Sequence, residues 1–188
     1  NAPDVMRGEE TQLLGALGGD AVGETIVCMP GTHSKWVRLK GSTVERFATF
    51  MTGELFDAVS QHTILAHAVA GADAAEDVDA FKAAVMAAFE TPALAANLLF
   101  QVRSGQLLFG GKPAAAREKI SGTLIGLELA ASLGRKASTS GITLIASGRL
   151  QMLYQSAFET VSVPVRSVEA EDAVRRGLSM AAQSIWSL

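Results

Sequence analysis

Three short β-forming runs, residues 24–29, 35–40 and 43–50, follow one another with only brief glycine-containing turns between them. Strands joined so closely pair antiparallel with their chain neighbours, because the connection is too short for a crossover. A fourth run, Ile142-Thr143-Leu144-Ile145-Ala146, lacks polar–apolar alternation. That pattern fits a parallel strand covered on both faces. After a helical stretch, residues 163–168 read as a fifth strand. The chain is predicted to be α/β, with a mixed sheet of about five strands, three antiparallel and then parallel, flanked by helices.

Helical periodicity fills the remainder. Residues 8–18 put Leu13, Leu14 and Leu17 on one face, with Glu9 and Glu10 in the first turn, where negative charge suits the helix dipole. Thr52 reads as a helix cap, followed by Leu55, Phe56, Val59 and Thr63 on one face. Residues 70–79 are a loop or helix start, and Phe81, Val85 and Phe89 then repeat at four-residue spacing. Pro92 separates that helix from one over 93–105, and a long Ala/Leu-rich helix covers 114–133. A polar segment, 135–141, precedes the fourth strand. Leu150, Leu153, Tyr154, Ala157, Phe158 and Val161 form the apolar face of the helix after it, and Val174, Leu178, Ala181 and Ile185 that of a final helix over 169–186.

Composition removes several classes of function. Hydrophobic residues make up 48% of the 188, enough for a packed core rather than a disordered chain. The formal charge of −3 is no footprint for nucleic acid. A single cysteine, Cys28, excludes an internal disulfide and a multi-cysteine zinc site, and its apolar strand makes it a core residue. No apolar run reaches the ~20 residues of a membrane span, and Asn1-Ala2-Pro3-Asp4 opens no signal peptide, so a cytoplasmic location without membrane contact is expected. His62 and His67 are five apart, off a shared helical face, and one is expected packed and the other solvated. Residues 105–113 imitate a phosphate-binding loop, but Pro113 stands where Ser or Thr is required. A two-metal nuclease would need several carboxylates on the first strand, which offers only Glu24.

Four segments could carry chemistry. Met29-Pro30-Gly31-Thr32-His33-Ser34-Lys35-Trp36 lies at the tip between the first two strands. Gly31 and Thr32 there offer backbone N–H groups and a hydroxyl to phosphate oxygens, and His33 and Lys35 add donors or charge; an ordinary Pro-Gly hairpin is the plainer reading. Arg7-Gly8-Glu9-Glu10 could supply a general base for a sugar hydroxyl, or simply cap a helix. Ala146-Ser147-Gly148-Arg149 sits at the carboxyl end of the buried strand, the edge where open α/β sheets bind ligands, although a tight strand–helix turn would look the same. Met51-Thr52-Gly53-Glu54 combines the helix cap with a candidate substrate contact.

The order of elements is that of the ribonuclease-H-like unit of the actin-like ATPases and sugar kinases. Five stretches extend the likeness: PDVMRGEETQLLGAL at 3–17, MPGTHSKWV at 29–37, FATFMTGELF at 47–56, ISGTLIGLEL at 120–129 and ITLIASGRLQMLYQSAF at 142–158. Together they resemble the 2-dehydro-3-deoxygalactonokinase family. The resemblance implies ATP- and Mg²⁺-dependent phosphorylation of 2-dehydro-3-deoxy-D-galactonate at its 6-hydroxyl, in galactonate catabolism. Its partners would be ATP and a 2-keto-3-deoxy sugar acid, with a homodimer left open.

By position, the resemblance makes Glu9 or Glu10 the catalytic base and Gly31, Thr32, His33 and Lys35 the phosphate contacts. It places Gly122, Gly126, Ser147 and Gly148 at the nucleotide and Arg7, Thr52 and Glu54 at the substrate, with no metal ligand among them. The family's first domain carries an Asp-x-Gly-Thr-Thr loop, which these residues do not contain. Residues 1–188 are therefore expected to form one ribonuclease-H-like domain, the second of a two-domain kinase, inactive alone. The competing reading is a non-catalytic actin-like module that binds a nucleotide or a partner.

Overall fold

The computed structural model describes residues 3–18, 23–72, 77–134 and 142–186. In chain order its elements are α1 (Glu9–Leu17), β1 (Glu24–Met29), β2 (Ser34–Lys40), β3 (Thr43–Phe50), α2 (Thr52–His62), α3 (Ala66–Val69), α4 (Val78–Glu90), a 3₁₀ turn (Pro92–Leu94), α5 (Ala95–Phe109), α6 (Pro113–Leu133), β4 (Ile142–Ala146), α7 (Gly148–Thr160), β5 (Val165–Glu169) and α8 (Ala170–Trp186). They form two compact units. A sheet unit holds α1, all five strands, the start of α7, and α8; a helical unit holds α2 to α6 and the end of α7.

The strands lie in the order β3-β2-β1-β4-β5. β1 pairs antiparallel with β2 (Val27 opposite Val37) and β2 with β3 (Lys35 opposite Thr49). β1 runs parallel to β4 (Cys28 beside Leu144), and β4 parallel to β5 (Ala146 beside Glu169). β4 is buried at every residue, as its unbroken apolar run predicts. Alternation sends Val27, Met29, Val37 and Leu39 to one face, where they pack with Leu13 and Ala16 of α1 and Ala173 of α8.

The final helix buries a different stripe from the one its large residues mark. Ala173 and Gly177 are inside, whereas Leu178 and Ile185 are more than half exposed. The cause is close approach of the two helix backbones, which only small residues permit. In α7 the buried residues are Tyr154, Ala157 and Phe158, with Leu150 partly exposed. The fifth strand begins at Val165 rather than 163, following Ser162 at φ 58° and the buried Val163.

The helical unit packs around α6, whose Ala116, Ile120 and Leu124 join Leu65, Ala68 and Val102. Gly122 and Gly126 face α4 so closely that a Cβ on either would meet the carbonyl oxygen of Phe81 at 2.5 Å or of Val85 at 2.4 Å. Asp77 caps α4 by accepting the Ala80 N–H at 3.0 Å. Pro92 opens the 3₁₀ turn, so the next helix starts at Ala95 and runs on to Phe109, where Gly110 ends it at φ 67°. The imitation phosphate loop is thus a helix end, a turn and the Pro113 start of α6. Met51, not Thr52, is the N-cap of α2; the buried Thr52 hydroxyl is drawn instead to the Glu128 carboxylate. Along α2, Phe56 and Val59 are half-buried and Leu55 is largely exposed. His62 and His67 are both exposed: His62 is the last residue of α2, and His67 lies within the single turn of α3. Residues 135–141 lie outside the described residues. Among the described residues, no single helix is long and apolar enough to cross a membrane.

Candidate active site

One edge of the sheet collects most of the predicted site. β1, β4 and β5 are parallel, so their carboxyl ends (Met29, Ala146 and Glu169) lie along it in neighbouring strands. β2 begins there and β3 ends there, because both are antiparallel to their neighbours. The turn Pro30–His33 therefore stands beside Ser147 and Gly148, at the edge where α/β sheets take ligands.

The turn is open. Thr32 and His33 are exposed and Gly31 is half-buried. A Cβ on Gly31 would come no closer than 3.8 Å to its surroundings. The tip's ability to meet an anion rests on N–H groups and the Thr32 hydroxyl rather than on a glycine-only conformation. Behind it, Ser34 is fully buried and its hydroxyl lies 3.1 Å from the Tyr154 hydroxyl of α7. At the next strand end, Gly148 takes φ +57° with nothing within 4 Å of a Cβ position. The neighbouring Ser147 hydroxyl accepts the Ala170 N–H at 3.2 Å, tying the end of β4 to the start of α8.

The two adjacent glutamates are held differently. Gly8 starts α1 at φ 106°, a left-handed conformation suited to glycine. Glu9 Oε2 accepts the Arg7 N–H at 2.7 Å, and Glu9 Oε1 lies 3.5 Å from Nζ of the buried Lys35. Burial pushes the Glu9 carboxyl upward, but its own N–H, that of Arg7 and the Lys35 charge outweigh it, so the carboxyl sits below its usual range. Glu10 accepts the Gly8 N–H at 2.7 Å and is exposed, on the rim of an apolar groove of about 210 Å³ lined by Leu13, Leu14, Leu17, Leu39 and Val44. Of the two glutamates, Glu9 is the one that faces Lys35.

Sequence reasoning passed over Asp4 and Thr49. Asp4 accepts the Thr49 N–H at 2.8 Å and its hydroxyl at 2.6 Å. The Thr49 hydroxyl bond is the largest of the influences that lower the Asp4 carboxyl. The signal lay in the sheet register, which sets Thr49 directly across from Lys35. Arg7 is exposed just before α1. Four predicted residues belong to the helical unit instead: Thr52 and Glu54 in the first turn of α2, and Gly122 and Gly126 buried in α6. The α4 backbone fills the space over those two glycines, and close helix packing accounts for them.

Among the described residues, no three His, Cys, Asp or Glu side chains are grouped to hold a metal ion. Magnesium in phosphoryl-transfer sites is usually held by one or two carboxylates together with substrate phosphates, so such a cluster is not required for it.

Sheet order and edge define a ribonuclease-H-like α/β unit. A family model for 2-keto-3-deoxy-galactonokinase matches residues 1–181, and the chain belongs to that family. It is 58% identical over 187 residues to a Rhizobium meliloti (strain 1021) protein named "Probable 2-dehydro-3-deoxygalactonokinase DgoK1", covering 99% of this chain and 61% of the relative. It is 36% identical over 185 residues to the 2-dehydro-3-deoxygalactonokinase of Escherichia coli (strain K12), covering 97% of this chain and 61% of that protein. A crystal structure from Sinorhizobium meliloti, provisionally named as a 2-dehydro-3-deoxygalactonokinase, superposes with a TM-score of 0.94 at 57% identity, over 99% of this chain and 62% of that one. The chain thus spans about three fifths of the length of these relatives.

Proposed function

We propose that this chain carries the base and one phosphate-binding tip of a kinase that transfers the γ-phosphoryl group of ATP to the 6-hydroxyl of 2-dehydro-3-deoxy-D-galactonate. The observation that carries the reading is Glu9, held ionised against the buried Lys35 at the sheet edge that bears the open Gly31–His33 tip. Family membership supplies the substrate class.

In the proposed reaction, Glu9 accepts or orients the proton of the 6-hydroxyl as that oxygen bonds to phosphorus and the bond from phosphorus to the β-phosphate oxygen breaks. The N–H groups of the tip and the Thr32 hydroxyl meet charge on the moving phosphoryl group. Lys35 is buried and engaged by Glu9, so it acts on the base rather than reaching the phosphates. The open space over Gly148 admits the nucleotide to the end of β4.

A turnover assay tests the reading. A family-length protein containing this chain, given ATP and the keto-deoxy acid, should yield product phosphorylated at carbon 6, read by ³¹P and ¹³C NMR. Nucleotide binding without transfer would leave only the binding-module reading. The 188-residue chain alone is expected to give no product.

A further inference from the structure

Between Asp4 and Glu9 the chain is fastened at both ends to a single cross-strand pair. Thr49 of β3 and Lys35 of β2 stand directly opposite each other. Asp4 grips Thr49 through both carboxylate oxygens, one on the N–H and one on the hydroxyl. The oxygen that accepts the Thr49 hydroxyl, Oδ1, also accepts the Val5 N–H at 2.7 Å, which turns the chain toward α1. At the far end Glu9 meets Lys35 and accepts the Arg7 N–H from inside the same segment. Gly8, in its left-handed conformation, is a pivot that would not hold the segment by itself.

We infer that Asp4 and Thr49 are positioning residues for Glu9: their clasp fixes the segment that leads into α1 and so sets the Glu9 carboxylate against Lys35. The geometry stands without any assignment of activity; its catalytic consequence rests on the proposed role of Glu9 as base. Among the described residues, the charged groups that face or adjoin Glu9 come from β2 and from its own segment. Lys35 comes from β2, and Arg7, Asp4 and Glu10 come from the segment and from α1. α8 meets α1 through Ala173 and Gly177, which carry no charge.

The test reads Glu9 directly, by ¹³C NMR titration of its carboxyl in the 188-residue chain. Thr49→Val keeps the strand shape and the backbone N–H but removes the hydroxyl. It should move the Glu9 titration up toward the ordinary carboxylate range, and Thr49→Ser should restore it. Asp4→Asn separates clasp from charge. Loss of a nearby negative charge alone would move Glu9 down, whereas release of the segment moves it up. An unmoved Glu9 titration in Thr49→Val, or a downward shift in Asp4→Asn, overturns the inference. In a family-length protein, kcat of Thr49→Val should fall about tenfold with KM for ATP unchanged, since small misplacements of a reacting group have effects of this order or larger. A moved titration with unchanged kcat would keep the clasp and remove Glu9 as base.

Discussion

Gly15 of α1 lies directly against Ala173 of α8: a Cβ on Gly15 would fall 1.8 Å from the Ala173 carbonyl oxygen. One turn along α8, a Cβ on Gly177 would fall 2.0 Å from the Thr11 carbonyl oxygen. Neither contact can be relieved by a flexible side chain, so the helices must part. Gly15→Ala and Gly177→Ala should each cost about 1–3 kcal/mol, the usual range for overpacking. Gly105→Ala in α5 is the control, because it meets nothing within 4 Å and has an ordinary φ. It should gain about 0.5–1 kcal/mol from helix propensity. Urea unfolding midpoints read all three, and a gain at Gly15 would disprove the close approach.

The buried Ser34–Tyr154 bond ties the start of β2 to α7. Tyr154→Phe leaves the fully buried Ser34 hydroxyl without that partner, at a cost of about 1–3 kcal/mol. Adding Ser34→Ala removes the stranded group, so the double variant should be more stable than the sum of the singles implies. Strict additivity in denaturant melts would mean the bond does not form.

At the tip, Gly31→Ala and Thr32→Val should separate conformation from chemistry. Gly31 has an ordinary φ and room for a methyl group, so Gly31→Ala should leave both stability and kcat nearly unchanged. Thr32 is exposed, so Thr32→Val should also leave stability alone. Loss of the proposed phosphate contact should nevertheless lower kcat by about tenfold or more, within the range for one transition-state donor. Equal kcat in wild type and Thr32→Val would reduce the tip to a hairpin turn.

Gly148 joins two effects that can be read apart. Its φ of +57° strains any substituted residue, so Gly148→Ala should lose about 1–2 kcal/mol. The empty space above it is where a nucleotide would approach, so Gly148→Val should raise KM for ATP beyond what Gly148→Ala does. If KM for ATP is the same in both, Gly148 serves the backbone turn alone.

What the sequence disclosed depended on distance along the chain. β1, β2 and β3 were readable because short turns dictate their pairing, and β4 because its run lacks alternation. Thr52 looks locally like a cap, but its partner, Glu128, lies 76 residues away and is invisible to local pattern. The buried face of α8 is hidden for a similar reason. Large apolar residues mark a stripe, yet what α8 buries depends on the glycine that α1 presents to it. Glu9 and the tip were visible as local patterns. Asp4 was not, since its bond to Thr49 spans 45 residues and arises only from strand register.

Glu9 and Glu10 are adjacent in sequence but differ in surroundings, and that difference decides the last prediction. Glu9 is held below the ordinary carboxylate range, with burial overcome by the N–H groups and the Lys35 charge. A carboxyl lowered on folding adds stability above its unfolded value, ordinarily about 4.3 for Glu. That stability disappears as pH falls through the lower folded value. Wild type should therefore lose stability on acidification below the ordinary range, and Glu9→Gln should flatten this acid limb. At neutral pH the wild-type carboxylate is ionised and able to take or orient a hydroxyl proton. Glu9→Gln keeps the size of the side chain and an acceptor for the Arg7 N–H but removes the charge facing Lys35. In a family-length protein it should lower kcat by about 10²–10⁴, the usual contribution of a general base. KM for ATP should hold, because the proposed role of Glu9 is toward the acceptor hydroxyl and not the nucleotide. Glu10→Gln, an exposed residue bonded to the Gly8 N–H, should cost less than about tenfold. Reversed losses would pass the role to Glu10, and losses below tenfold in both would take the base out of this chain altogether.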